Sequence, residues 1–133
     1  MKHSTLALDS GISLAISQAG SGGQNILMIH GWTCRKSDWH PAMTALSDKF
    51  RLTAIDLPGH GESQDQTPEA WTIKALARVV ADSVSSLEQP DTILVGHSMG
   101  GPVALEAARL LPNLKGVVLV DAFVIPYGDV TEQ

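Results

Sequence analysis

The chain has 133 residues, 44% of them hydrophobic, enough for one domain with a buried core. Its formal net charge is −5, with 9 Lys and Arg scattered against 14 Asp and Glu, which excludes a nucleic-acid backbone as partner. Cys34 is the single cysteine, so no internal disulfide can form, and neither a signal-peptide pattern nor a run of ~20 apolar residues is present, so a soluble cytoplasmic protein with no membrane partner is expected.

Short apolar runs alternate with helical patterns, which predicts an α/β fold: a mostly parallel sheet with flanking helices. Thr5–Leu8 and Ile12–Ser17 predict a hairpin around Asp9-Ser10-Gly11. Beyond the turn at Ser21-Gly22-Gly23, Ile26–Ile29 reads as a buried strand. A short helix is predicted from Trp39 to Leu46, with Ser37 and Asp38 near its start, and a strand at Leu52–Ile55, closed by Asp56. From Ile73 to Leu87 the positions Leu76, Val79, Val80, Val84 and Leu87 follow helical spacing, with Thr72 as N-cap. Ile93–Val95 is a strand, Met99 to Leu111 a helix ended by Pro112, and Val117–Val120 a last strand leading to Asp121. No repeat or linker divides the chain, so residues 1–133 read as a single domain.

Gly96-His97-Ser98-Met99-Gly100 lies between the predicted strand and the predicted helix, the setting of a nucleophile elbow. Such a turn holds the serine in a strained backbone conformation, at a cost of roughly 1–3 kcal/mol. Gly96, Gly100 and Gly101 leave room where strand and helix approach, and Pro102 is tolerated in a first helical turn. His30-Gly31-Trp32 follows the strand ending at Ile29. An oxyanion hole needs two converging donors, and the natural pair is the backbone N–H of Trp32 and that of Met99. The competing reading of this segment is a strand-end turn with Trp32 packed into the core. Asp56-Leu57-Pro58-Gly59-His60-Gly61-Glu62-Ser63 lacks the Gly-Lys-Ser/Thr ending of a phosphate loop and reads as a fixed structural loop at a pocket rim. The histidines lack paired metal-ligand spacing, so neither metal nor cofactor is expected.

These segments together resemble the α/β-hydrolase superfamily over about Thr5 to Val124. The resemblance rests on three ordered signatures: His30-Gly31-Trp32, Asp56 to Ser63, and Gly96-His97-Ser98-Met99-Gly100-Gly101. It implies Ser98 as nucleophile, the Trp32 and Met99 N–H groups as oxyanion hole, and the first six strands of an eight-stranded fold. The implied reaction is acyl transfer through an acyl-enzyme on a small ester, thioester, amide or carbon–carbon substrate.

The resemblance also implies an acid after strand six or seven and a histidine after strand eight. Asp121 is a candidate for that acid, with strand-end capping as the competing reading. No histidine follows Ser98; His3, His30, His40, His60 and His97 all precede it. His97 is expected to diverge from Ser98, and His30 to orient a loop by hydrogen bonding. The chain is therefore expected to be C-terminally incomplete as a hydrolase, without lid, last two strands and base. Pro126 to Gln133 reads as the entry to a lid. The apolar strand Val117–Val120 would then be a sheet edge open to self-association or to a complementing chain. Two function classes follow: a serine hydrolase whose base lies outside these residues, and a non-catalytic binding module or inactive fragment on half a hydrolase fold.

Overall fold

Six strands form one sheet in the computed structural model, in which residues 1–63 and 71–122 are described. In chain order they are β1 (Lys2–Ala7), β2 (Ser13–Ala19), β3 (Gln24–Ile29), β4 (Phe50–Ile55), β5 (Ile93–His97) and β6 (Gly116–Val120). The helices are α1 (His40–Leu46), α2 (Ile73–Ser86) and α3 (Gly100–Ala108), and a 3-10 turn at Lys36–Trp39 leads into α1. Spatially the strands run β1-β2-β4-β3-β5-β6. The β1–β2 and β2–β4 pairs are antiparallel, and the β4–β3–β5–β6 run is parallel. The expected mostly parallel α/β architecture is the observed one.

Strand periodicity divides the core into two layers. On β3, Leu27 and Ile29 face α2 and α3, where they join Leu14, Ile16, Ile55, Leu94, Leu76, Val80, Val103 and Ala104. Ile26 and Met28 face the other side and pack with Met43 of α1, Leu52 and Ala54. A central parallel strand covered on both faces needs apolar residues at every position, which explains the unbroken Ile-Leu-Met-Ile run. Thr72 caps α2 as predicted: its hydroxyl accepts from the Ala75 N–H at 3.0 Å.

Several boundaries shift by one to three residues from expectation, and two of the shifts have a clear cause. The first strand spans Lys2–Ala7 rather than Thr5–Leu8, because six cross-strand pairs with β2 hold even its exposed polar residues. Leu8 instead belongs to the turn, donating to the Ile12 carbonyl. Helix α3 stops at Ala108, three residues before the predicted end. The chain tightens there: Leu110 and Leu111 donate to the carbonyls of Ala107 and Ala108, three residues back. Pro112 disfavours helical backbone at the residue before it, so the tighter turn replaces the last helical one. Among the described residues β6 ends the strand order, and its Val118 and Val120 are 48% and 40% exposed. The tail Pro126 to Gln133, and Val124 at the end of the resemblance, lie outside the described residues.

Candidate active site

Ser98 occupies the turn between β5 and α3 with φ +53°, a left-handed conformation that side chains resist. Its N–H donates to the Val120 carbonyl at 3.1 Å, and its own carbonyl accepts from Gly101 at 2.9 Å. The turn is thereby tied to β6 on one side and to the first turn of α3 on the other. Glycines make this approach feasible. A Cβ on Gly96 would run into the carbonyl of Gly100, and one on Gly100 into the carbonyls of Ile29 and His30.

The loop after β3 abuts the elbow. A Cβ on Gly31 would stand 3.1 Å from Ser98 Cβ and 3.2 Å from the His97 carbonyl oxygen. Neither the Trp32 N–H nor the Met99 N–H is engaged by another described residue. The Trp32 side chain is 63% exposed and meets His60 edge-on at 5.5 Å, so it is not a core residue. Its peptide is fixed from behind. His30 Nδ1 lies 2.7 Å from the Gly31 carbonyl oxygen, and that oxygen also accepts from Cys34 N–H at 3.1 Å. This carbonyl belongs to the same planar unit as the Trp32 N–H, so holding one orients the other.

His30 is fully buried, and its Nε2 accepts from the Leu57 N–H at 3.0 Å. The proton therefore belongs on Nδ1, by inference from the partners. Burial lowers the His30 pKa, the Gly31 bond opposes that shift, and His60 adds to it. The ring is a neutral clamp between the loops after β3 and β4.

A second clamp joins the same loops. Asp56, fully buried, accepts from the Lys36 N–H at 2.7 Å and from the Glu62 N–H at 2.9 Å. The Lys36 ammonium, itself buried, sits 3.6 Å from Asp56 and 2.7 Å from Glu62. That contact with Lys36 pulls the Glu62 pKa down. Gly61 has φ +50°, and the Asp56 carboxylate lies where its Cβ would stand. The loop from Asp56 to Ser63 is structural, and its purpose is to brace the loop that carries Trp32. The Lys36 partnership was not legible in the sequence, since its two partners lie 20 and 26 residues away.

None of the five histidines hydrogen-bonds the Ser98 hydroxyl. His97 turns toward Trp39, ring to ring at 6.4 Å and perpendicular. His60 contacts the Pro58 carbonyl, and His3 and His40 meet at Ser17. Asp121 follows β6, whose Val120 pairs with His97, so it stands level with Ser98 on the neighbouring strand. It is exposed, with φ +48°, and makes no side-chain hydrogen bond to a described residue. Beside the elbow a cavity of about 300 Å³ is lined by His30, Cys34, Asp38, Trp39, His97 and Val120. The Trp39 indole N–H is buried without a partner among the described residues. Among those residues no group of three or more His, Cys, Asp or Glu could hold a metal ion, and no helix is long and apolar enough to cross a membrane.

Comparison with known proteins identifies the family and the fold. Residues 24–133 match a family model described as the alpha/beta hydrolase fold. The chain is 35% identical over 99 residues to a pimeloyl-[acyl-carrier protein] methyl ester esterase of Pseudoalteromonas atlantica, covering 74% of this chain and 37% of that protein. It is 32% identical over 113 residues to protein phosphatase methylesterase 1 of Mus musculus, covering 80% of this chain and 29% of that one. In backbone it resembles the crystal structure of an N-acyl homoserine lactonase complexed with N-butanoyl homoserine, with TM-score 0.89 and 24% identity over 99% of this chain and 49% of that one. At that identity the likeness concerns the fold. The chain spans less than half the length of these relatives.

Proposed function

The chain belongs to the alpha/beta hydrolase fold family, and on that premise we propose that it carries the nucleophile and oxyanion hole of a serine esterase whose base lies outside residues 1–133. One observation carries the reading. Ser98 is held at φ +53° between a strand and a helix, against Gly31, with the Trp32 and Met99 N–H groups unengaged beside it. A strained serine next to two free donors suits acyl transfer.

Ser98 Oγ attacks the substrate carbonyl carbon while an imidazole removes its proton. The carbonyl oxygen becomes an oxyanion and takes hydrogen bonds from the Trp32 and Met99 N–H groups. Collapse expels the alkoxide, which leaves with the proton from the imidazole. Water then releases the acyl group from Ser98 by the same steps. Asp121, which follows β6, is the acid this reading assigns to orient an imidazole arriving from beyond that strand. A small carboxylic ester is the substrate class, supported by the esterase names of two relatives. Turnover of a short p-nitrophenyl ester by the full-length gene product tests this. Ser98→Ala should lower kcat by roughly 10⁴-fold or more, and an unchanged rate would remove Ser98 from the mechanism.

A second reading, a non-catalytic binding module, draws on the partners the histidines make: His3 and His40 meet Ser17, His30 meets Gly31 and Leu57, and His60 meets Pro58, none of them Ser98. The complementing polypeptide in the first reading would pair with the open edge of β6, where Val118 and Val120 are exposed.

A further inference from the structure

His3 of β1 and His40 of α1 meet at one hydroxyl. His3 Nδ1 lies 2.8 Å from Ser17 Oγ and His40 Nε2 lies 3.0 Å from it, with the ring centroids 5.5 Å apart. Ser17 is fully buried on β2. It alternates with Ile16, which faces α2 and α3, and therefore points toward α1. Beyond its backbone pairing with β2, strand β1 has few side-chain anchors. Lys2 to Thr5 are exposed, and Leu6 alone is half-buried against the core. The contact with Ser17 is the one side-chain hydrogen bond that β1 makes among the described residues.

We propose that His3, Ser17 and His40 form an acid-sensitive latch that holds the N-terminal part of β1 on the sheet near neutral pH and releases it when both imidazoles are protonated. A hydroxyl has one hydrogen and two lone pairs. With both rings neutral, one imidazole donates to Oγ and the other accepts the hydroxyl hydrogen. One added proton is accommodated, because a cationic ring donates while the neutral ring still accepts. A second proton makes both rings donors only. The buried Ser17 hydrogen then loses its acceptor, and two cations face each other across the hydroxyl.

Charges of both signs surround the rings. Lys36 and Arg35, at the cleft next to the rings, add positive charge, and Asp38, Asp56 and Glu62 oppose it. Asp56 and Glu62 are already committed to Lys36, at 3.6 and 2.7 Å. Burial, then the charges of His3 and Lys36, hold the His40 pKa below its ordinary 6.5. A histidine whose folded pKa is lowered stabilises the folded state above 6.5, and that contribution is lost as pH falls below it. Release of β1 uncovers the outer edge of β2, a row of unpaired backbone groups ready to accept another strand.

Amide hydrogen exchange of the peptide covering residues 1–8, corrected for intrinsic rate and referenced to α2, tests the latch. Protection should fall about 10-fold between pH 7.5 and pH 5. His3→Gln, at an exposed position, keeps a hydrogen-bonding side chain that cannot be charged, and should abolish the fall. Ser17→Ala should lower protection already at pH 7.5. Equal protection at both pH values, an undiminished fall in His3→Gln, or wild-type protection in Ser17→Ala at pH 7.5 would overturn the proposal.

Discussion

The elbow and the loop facing it are built on opposite principles. At the elbow, order comes from missing side chains: Gly96 and Gly100 let β5, α3 and the end of β3 close on one another around a strained Ser98. At the facing loop, order comes from side chains reaching far along the chain. His30 ties Gly31 to Leu57, and Asp56 ties Lys36 to Glu62. Adding an atom should therefore break the first region, and removing atoms the second. The two must also agree in position, because each contributes one N–H of the proposed oxyanion hole.

The largest effect is expected at the brace. Asp56→Ala leaves the buried Lys36 ammonium with only an exposed partner and strands two N–H groups, at a cost of about 3–5 kcal/mol in urea unfolding. Replacing Asp56 and Lys36 together by apolar residues should recover part of that loss. At the elbow, Gly96→Ala forces a methyl into the Gly100 carbonyl and should cost about 3 kcal/mol. His30→Ala, losing two buried hydrogen bonds, should cost about 2 kcal/mol at pH 7.5. Because the His30 pKa is lowered from 6.5, its stabilising contribution is complete above that value and declines as pH drops below it. Urea midpoints should accordingly decrease from pH 7.5 to 5.5, and His30→Gln should reduce that slope. The smallest effect has the opposite sign: Ser98→Gly should stabilise the fold by about 1 kcal/mol, by relieving the left-handed backbone. A loss of stability in Ser98→Gly would mean that the elbow is not strained.

How much of this was legible follows from the range of each interaction. The elbow is local: glycines two residues on either side of Ser98, an apolar run before and small residues after define both turn and packing. The Thr72 cap and the apolar run of β3 are equally local, and both are legible in the sequence. The end of α3 was missed, because the tighter turn at Leu110 and Leu111 keeps the apolar pattern of the helix. The braces were beyond reach for a different reason. Lys36, Asp56 and Glu62, or His3, Ser17 and His40, share no spacing, and the topology alone brings them together. Asp121 sits between these cases: its level beside Ser98 follows from strand order, whereas its carboxylate hydrogen-bonds no described residue.

The central claim, that Ser98 is a nucleophile awaiting a base from elsewhere, is tested most directly by fluorophosphonate labelling. Residues 1–133 alone should label no faster than their Ser98→Ala variant, while the longer gene product should label rapidly and only with Ser98 intact. Rapid Ser98-dependent labelling of residues 1–133, or labelling of the longer protein that survives Ser98→Ala, would contradict the account.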